Sequence, residues 1–139
     1  MIARVSGRSK LTEILARRYV CRACGAVALV MPADVARRGL YTLSVIAAAL
    51  AQWSHGEWSA AAVRSAFGAF SLLGAATMGW PSLVRWTRMA ERLWPRIGCL
   101  ADLSPRALAH RVSAKLSAFA PVPLGQVLID SVAGAVHAC

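Results

Sequence analysis

The sequence predicts a mainly α protein: a helical bundle with a helix-turn-helix-like core and a small β knuckle, a degenerate zinc ribbon, near its N-terminus. Three observations predict it. Cys21-Arg22-Ala23-Cys24-Gly25 lies between two β-prone runs. From Thr42 onward, apolar segments with helical spacing are opened by Thr, Ser or Pro and closed by Gly or Pro. Between Pro81 and Pro95 the chain separates an apolar face from an arginine stripe.

The N-terminal segment comes first. Residues 8–19 fit a short amphipathic helix or a strand, with Leu11, Ile14 and Leu15 apolar and Lys10, Arg17 and Arg18 exposed. Arg17-Arg18-Tyr19-Val20 reads as a basic strand entering the knuckle, and Ala26-Val27-Ala28-Leu29-Val30 as a strand leaving it. Cys21 and Cys24 are the candidate metal ligands. Their spacing lets both sulfurs reach one ion, and the glycine behind them lets the backbone turn its N–H groups toward the sulfurs. A structural zinc takes four ligands, and no second cysteine pair precedes Cys21. Cys99, Cys139, His55, His110 and His137 stand apart in sequence. The alternatives are a set completed by His137 and Cys139, zinc shared between two chains of a homodimer, a turn that has lost its metal, and a redox pair. No thioredoxin-like pattern supports the last.

Met31 to Asp34 and Arg37-Arg38-Gly39 read as a linker carrying a basic pair. Thr42 is a candidate N-cap for a helix from Leu43 to about Trp53, whose uniform apolarity implies burial on most sides, and His55-Gly56 ends it. Ser59 caps a second helix from Ala60 to about Phe70, with Val63, Phe67 and Phe70 on one face and Arg64 on another. A Gly/Ala-rich connection, Ser71 to Gly79, leads to Trp80-Pro81. That proline opens a third helix, which Pro95 closes. At about 100° per residue, Leu83, Trp86, Ala90, Leu93 and Trp94 share one arc of about 100°, and Arg85, Arg88 and Arg92 an opposing arc of about 60°. Ser104-Pro105 opens a fourth helix to about Ala120. Leu108, Val112, Leu116 and Phe119 are its apolar residues, with Arg106, His110, Arg111 and Lys115 on its polar side. Pro121 and Pro123 end it. Gly125 to Ala138 forms a last apolar helix that Gly134 weakens. The parts are residues 1–39, the partial zinc-ribbon knuckle and basic linker; 40–95, the helix-turn-helix-like domain; and 96–139, a C-terminal helical extension.

Composition narrows the function. The 139 residues are 58% hydrophobic, enough for one compact domain or two very small ones. The formal net charge is +10, from 16 Lys and Arg against 6 Asp and Glu, and nearly all the basic residues are arginine. That excess favours an anionic partner, nucleic acid or an acidic membrane surface. Unframed cysteines and a polar, basic start without an export signal point to a reducing, cytoplasmic setting. Ala66 to Val84 is free of charge and long enough to span a membrane, yet Gly68, Gly74, Gly79 and Pro81 interrupt it and alanine dominates the rest, which favours soluble packing. Glu13, Asp34, Glu57, Glu91, Asp102 and Asp130 are scattered singly, so no carboxylate cluster for metal-dependent strand transfer is expected, and the chain reads as no enzyme.

The order of parts resembles the N-terminal zinc-ribbon and helix-turn-helix region of bacterial insertion-element transposases, and within that group small transposase-like proteins of unknown function. The resemblance rests on the basic strand into Cys21-Arg22-Ala23-Cys24-Gly25, on Arg37-Arg38-Gly39-Leu40-Tyr41-Thr42, and on Gly79-Trp80-Pro81-Ser82-Leu83-Val84-Arg85-Trp86. It covers roughly residues 17 to 94. It implies structural zinc on Cys21 and Cys24 and contact with DNA through the segment Trp80 to Trp94. The missing first cysteine pair and the long connection from Ser71 to Gly79 depart from the pattern and imply a relaxed form of the motif.

The expectation is therefore a DNA-binding, transposase-related protein without a catalytic domain. Arg85, Arg88 and Arg92 form its reading face on duplex DNA, with Ser82 placed to contact phosphate or base. Arg37 and Arg38 hold the neighbouring backbone. The competing readings are a small basic structural or interaction protein, peripheral to an anionic membrane, and a degenerate remnant of a longer reading frame.

Overall fold

The computed structural model describes residues 2–5, 8–11, 16–30, 32, 35, 41–56, 58–67, 80–100 and 103–138, in which two β-hairpins precede six α-helices. The first hairpin pairs β1 (Ile2–Val5) with β2 (Arg8–Leu11), antiparallel, with Ile2 opposite Leu11 and Val5 opposite Arg8. The second pairs β3 (Arg17–Val20) with β4 (Val27–Val30), with Arg17 opposite Val30 and Val20 opposite Val27. Between 8 and 19 the ambiguity of helix against strand thus resolves as strand at both ends. Residues 12–15 lie outside the described residues. The β1–β2 pairing is a finding the sequence did not suggest.

α1 (Leu43–His55) is the central helix. Thr42 caps it, its Oγ1 accepting from the Val45 amide at 3.2 Å, and Gly56 closes it by donating to the Gln52 carbonyl at 3.0 Å. From Leu43 to Ala51 all its residues are buried except Ser44. Such a helix needs neighbours all round, and the small faces of Ala47, Ala48, Ala49 and Ala51 let them approach closely. α5 (Pro105–Ser117) and α6 (Val127–His137) pack against α1 and against each other. α2 (Ala60–Phe67), capped by Ser59 Oγ on the Ala62 amide at 3.1 Å, adds Val63 and Phe67 to the same core. Phe70 lies outside the described residues.

The segment Pro81 to Trp94, which its periodicity predicts as one helix, is two: α3 (Pro81–Arg88) and α4 (Ala90–Leu93), joined at Met89 with φ −97° and ψ 1°. The Thr87 hydroxyl donates to the Val84 carbonyl at 2.8 Å, a side-chain competitor of the kind that bends helices. The Met89 amide still reaches Arg85 O at 3.0 Å, and the Trp94 amide reaches Ala90 O at 2.8 Å, so the axis bends without dissolving the turn. Pro95 then starts a 3-10 turn to Ile97.

α6 is locked at both ends. At its start Asp130, almost fully buried, accepts from the Leu124 amide at 2.8 Å, while Gly125 turns with φ +72°. At its end the indole N–H of Trp94 donates to Ala135 O at 2.9 Å, and the Arg96 guanidinium donates to His137 O at 2.6 Å. These bonds satisfy carbonyls that the last helical turn leaves without intrahelical partners. In the middle, Gly134 is buried where α6 crosses α5, against the backbone of Leu116. Its role is therefore the reverse of the weakness its propensity suggests: only a residue without Cβ permits this crossing. The fold is mainly α with a small knuckle, as the sequence predicts.

Candidate nucleic-acid interface

α3 starts from an extended Trp80 (φ −131°, ψ 94°), the backbone that a following proline enforces, and has Pro81 in its first turn. Its inner face is anchored by aromatic packing. Trp80, Trp86 and Tyr41 form a triangle of edge contacts, with ring centroids 4.9 Å apart for Trp80–Trp86, 5.1 Å for Tyr41–Trp86 and 5.9 Å for Tyr41–Trp80. Leu83 is fully buried beside them, as are Ala90 and Trp94 further along. Leu93 is half-buried.

The opposite face is basic. Arg85 and Arg88 on α3 and Arg92 on α4 are all exposed, and Ser82 is half-buried at the helix start. None of the three guanidinium groups has a hydrogen bond or an ion pair with another described residue. Three cations without an ion pair over two short helices, with one exposed carboxylate, Glu91, beside Arg92, give this face a net positive charge. The bend at Met89 separates Arg92 from the other two. Arg37 and Arg38 lie outside the described residues, as does the connection from residue 68 to 79.

In the knuckle, the Cys21 amide donates to Ala26 O at 2.8 Å and the Gly25 amide to Cys21 O at 2.9 Å, while Gly25 adopts φ +70°. The turn aims the backbone N–H groups of Cys24 and then Ala23 at the Cys21 sulfur. With a smaller contribution from the Cys24 thiol, they hold the Cys21 thiol below its ordinary pKa. Cys21 and Cys24 are both exposed. They are two thiols, and no group of three or more His, Cys, Asp or Glu side chains that could hold a metal ion gathers among the described residues. The hairpin that carries them is exposed throughout, from Ala16 to Val30, including the apolar Tyr19, Val20, Val27, Leu29 and Val30.

Two arrangements escaped the sequence reading because each joins distant segments. His55 at the end of α1 and His110 on α5 stack with ring centroids 4.0 Å apart and a 30° tilt. Burial, then the neighbouring His110, pushes the His55 pKa down. A groove of about 660 Å³ opens beside α3, where Trp53, Ala60, Trp80 and Val84 meet Arg85, Arg88 and Met89. Its sequence trace is only a tryptophan at the end of one helix and another at the start of a later one. No helix among the described residues is long and apolar enough to cross a membrane. No protein-family model, curated protein or solved structure matches the chain.

Proposed function

We propose that this chain is a cytoplasmic, transposase-related DNA-binding protein without a catalytic domain, contacting duplex DNA through Arg85, Arg88 and Arg92. One observation carries the reading: α3 and α4 turn Leu83, Trp86 and Trp94 into the core and leave these three arginines exposed without an ion pair to another described residue. Arg85 and Arg88, on the helix with the proline start, read base edges through the guanidinium fork, with Ser82 at the helix start on phosphate or base. Arg92, beyond the bend, takes a phosphate, and Arg37 and Arg38 neutralise the backbone nearby. In the same reading Cys21 and Cys24 hold one half of a tetrahedral zinc, a second copy of the chain supplies the other half, and the protein acts as a homodimer.

The test is duplex affinity as a function of salt. Binding of the purified chain to duplex DNA, followed by fluorescence anisotropy, should weaken linearly in log–log form, with a slope of about −0.9 for each phosphate neutralised. Absence of binding at low salt, or binding insensitive to salt, refutes the reading.

The exposed hairpin favours a second reading. Arg17, Arg18 and Arg22 sit beside Tyr19, Val20, Val27, Leu29 and Val30, all more than half exposed, which is the composition of a segment seated on an anionic membrane surface. Sedimentation with vesicles containing phosphatidylserine, in the absence of DNA, separates the two.

A further inference from the structure

The groove beside α3 is used by neither reading, although two of its lining residues, Arg85 and Arg88, belong to the proposed DNA-reading face. α1 contributes Trp53 and α3 contributes Val84, with Trp80 just before α3 and Met89 just after it completing an apolar wall. Trp80 cannot swing away freely, since Tyr41 and Trp86 hold it by their edges. A wall fixed by packing keeps its shape before any ligand arrives. At about 660 Å³ the groove falls within the range of roughly 300–1,000 Å³ occupied by small-molecule sites.

Charge sets the ligand class. Arg85 and Arg88, three residues apart and so on adjacent turns of one helix face, are the charged residues of the described lining, and no carboxylate accompanies them there. Two arginines lining an otherwise apolar groove suit a carboxylate, sulfonate or phosphate attached to an apolar body. A cation is repelled from the same place. Arg92, on α4, is not part of the described lining.

We infer that this groove binds a small organic anion, its apolar body against Trp53, Trp80 and Val84 and its charged head on Arg85 and Arg88. The inference stands without the DNA reading. The two share Arg85 and Arg88, so an anion seated in the groove withdraws both guanidinium groups from a duplex, and ligand and DNA compete.

Isothermal titration calorimetry on the full chain tests it with three probes: 2-naphthoate, decanoate and the uncharged 2-naphthamide. Binding of naphthoate identifies a flat body, and binding of decanoate a flexible acyl body; either supports the inference. The neutral amide should bind at least about tenfold more weakly than naphthoate, the loss expected when charge-assisted hydrogen bonds are removed. The double variant Arg85→Gln, Arg88→Gln changes only exposed positions and should lose about tenfold or more for the anion. Val84→Phe fills the groove with both arginines in place and should abolish binding. Circular dichroism checks that each variant is folded; if Val84→Phe is not, the arginine pair and the amide decide. No heat with either anion, equal affinity for naphthoate and its amide, or affinity unchanged in the variants overturns the site. Release of bound duplex by saturating naphthoate supports the sharing of arginines. Retention of the duplex refutes the sharing, and the calorimetry decides the groove whether or not duplex is bound.

Discussion

Replacing Gly134 by alanine separates local propensity from tertiary packing, because the two predict opposite signs. Inside a helix, alanine is favoured over glycine by about 1 kcal/mol, so propensity alone makes Gly134→Ala stabilising. At the α5–α6 crossing a Cβ on residue 134 would fall on the carbonyl oxygen of Leu116, 2.8 Å from its carbonyl carbon and 3.2 Å from the Ala120 amide nitrogen. Carbon atoms pack best at about 3.5–4.0 Å, so α6 must withdraw by about 1 Å. The obstacle is backbone, which no side-chain rotation relieves. Overpacking of this kind costs about 1–3 kcal/mol and occasionally more. Withdrawal also pulls on the bond from Trp94 to Ala135 O, one residue along. Because the Cβ would meet backbone rather than a movable side chain, the upper end of that range, about 3 kcal/mol, applies. Subtracting the propensity gain of about 1 kcal/mol leaves a net loss of about 2 kcal/mol, which in urea, at a slope of about 2 kcal/mol per molar, lowers the midpoint by about 1 M. A midpoint equal to or above that of the parent protein would refute the packing argument and return Gly134 to a weak spot in its helix.

Three further outcomes are expected. Trp86→Ala removes a buried side chain with two aromatic edge partners and should cost about 3–5 kcal/mol in the same denaturation experiment, weakening DNA binding only through loss of fold. The His55 pKa is pushed down by burial and then by His110, so the folded protein binds fewer protons there than the unfolded chain. The associated stability is present above the unfolded value of about 6.5 and is lost as pH falls through the folded one. His110→Gln should therefore reduce the drop in Tm between pH 8 and pH 5, and an undiminished drop counts against the pair. For the knuckle, metal analysis should give one zinc per two chains, and a chelator should dissociate the dimer and lower Tm together. Protein that purifies as a metal-free monomer, indifferent to chelator, removes zinc and the bridge.

What the sequence made legible is local chemistry. Thr42, Ser59 and Ser104 announce helix starts because each hydroxyl meets an amide three residues on, and Pro81 does so because the first turn has no use for its missing N–H. The knuckle was legible for the same reason: its strands, turn and Gly25 are contiguous. The arginine stripe followed from helical period alone, and its exposure agrees with that geometry. What stayed hidden depends on distant neighbours. The closeness of Leu116 to Gly134, the stacking of His55 on His110 and the groove between Trp53 and Trp80 each require two segments brought together by the bundle. The bend at Met89 was hidden differently. A periodic pattern of buried residues survives a bend, so the apolar arc through Leu83, Trp86, Ala90 and Trp94 gave no sign of it.

The most direct measurement for the central claim is duplex binding by the triple variant Arg85→Glu, Arg88→Glu, Arg92→Glu, compared with the parent protein at matched salt. All three side chains are exposed, so circular dichroism and the urea midpoint should stay close to those of the parent. Replacing three cations with three anions on one face should abolish measurable binding, while Arg85→Ala or Arg88→Ala alone should relax sequence preference by about 1–3 kcal/mol of discrimination at one base pair. Arg92→Ala should instead weaken all sequences alike and reduce the salt slope by about one phosphate contact. A folded triple variant that binds duplex DNA as tightly as the parent would show that the stripe is a solvated face, and the DNA-reading account would be abandoned.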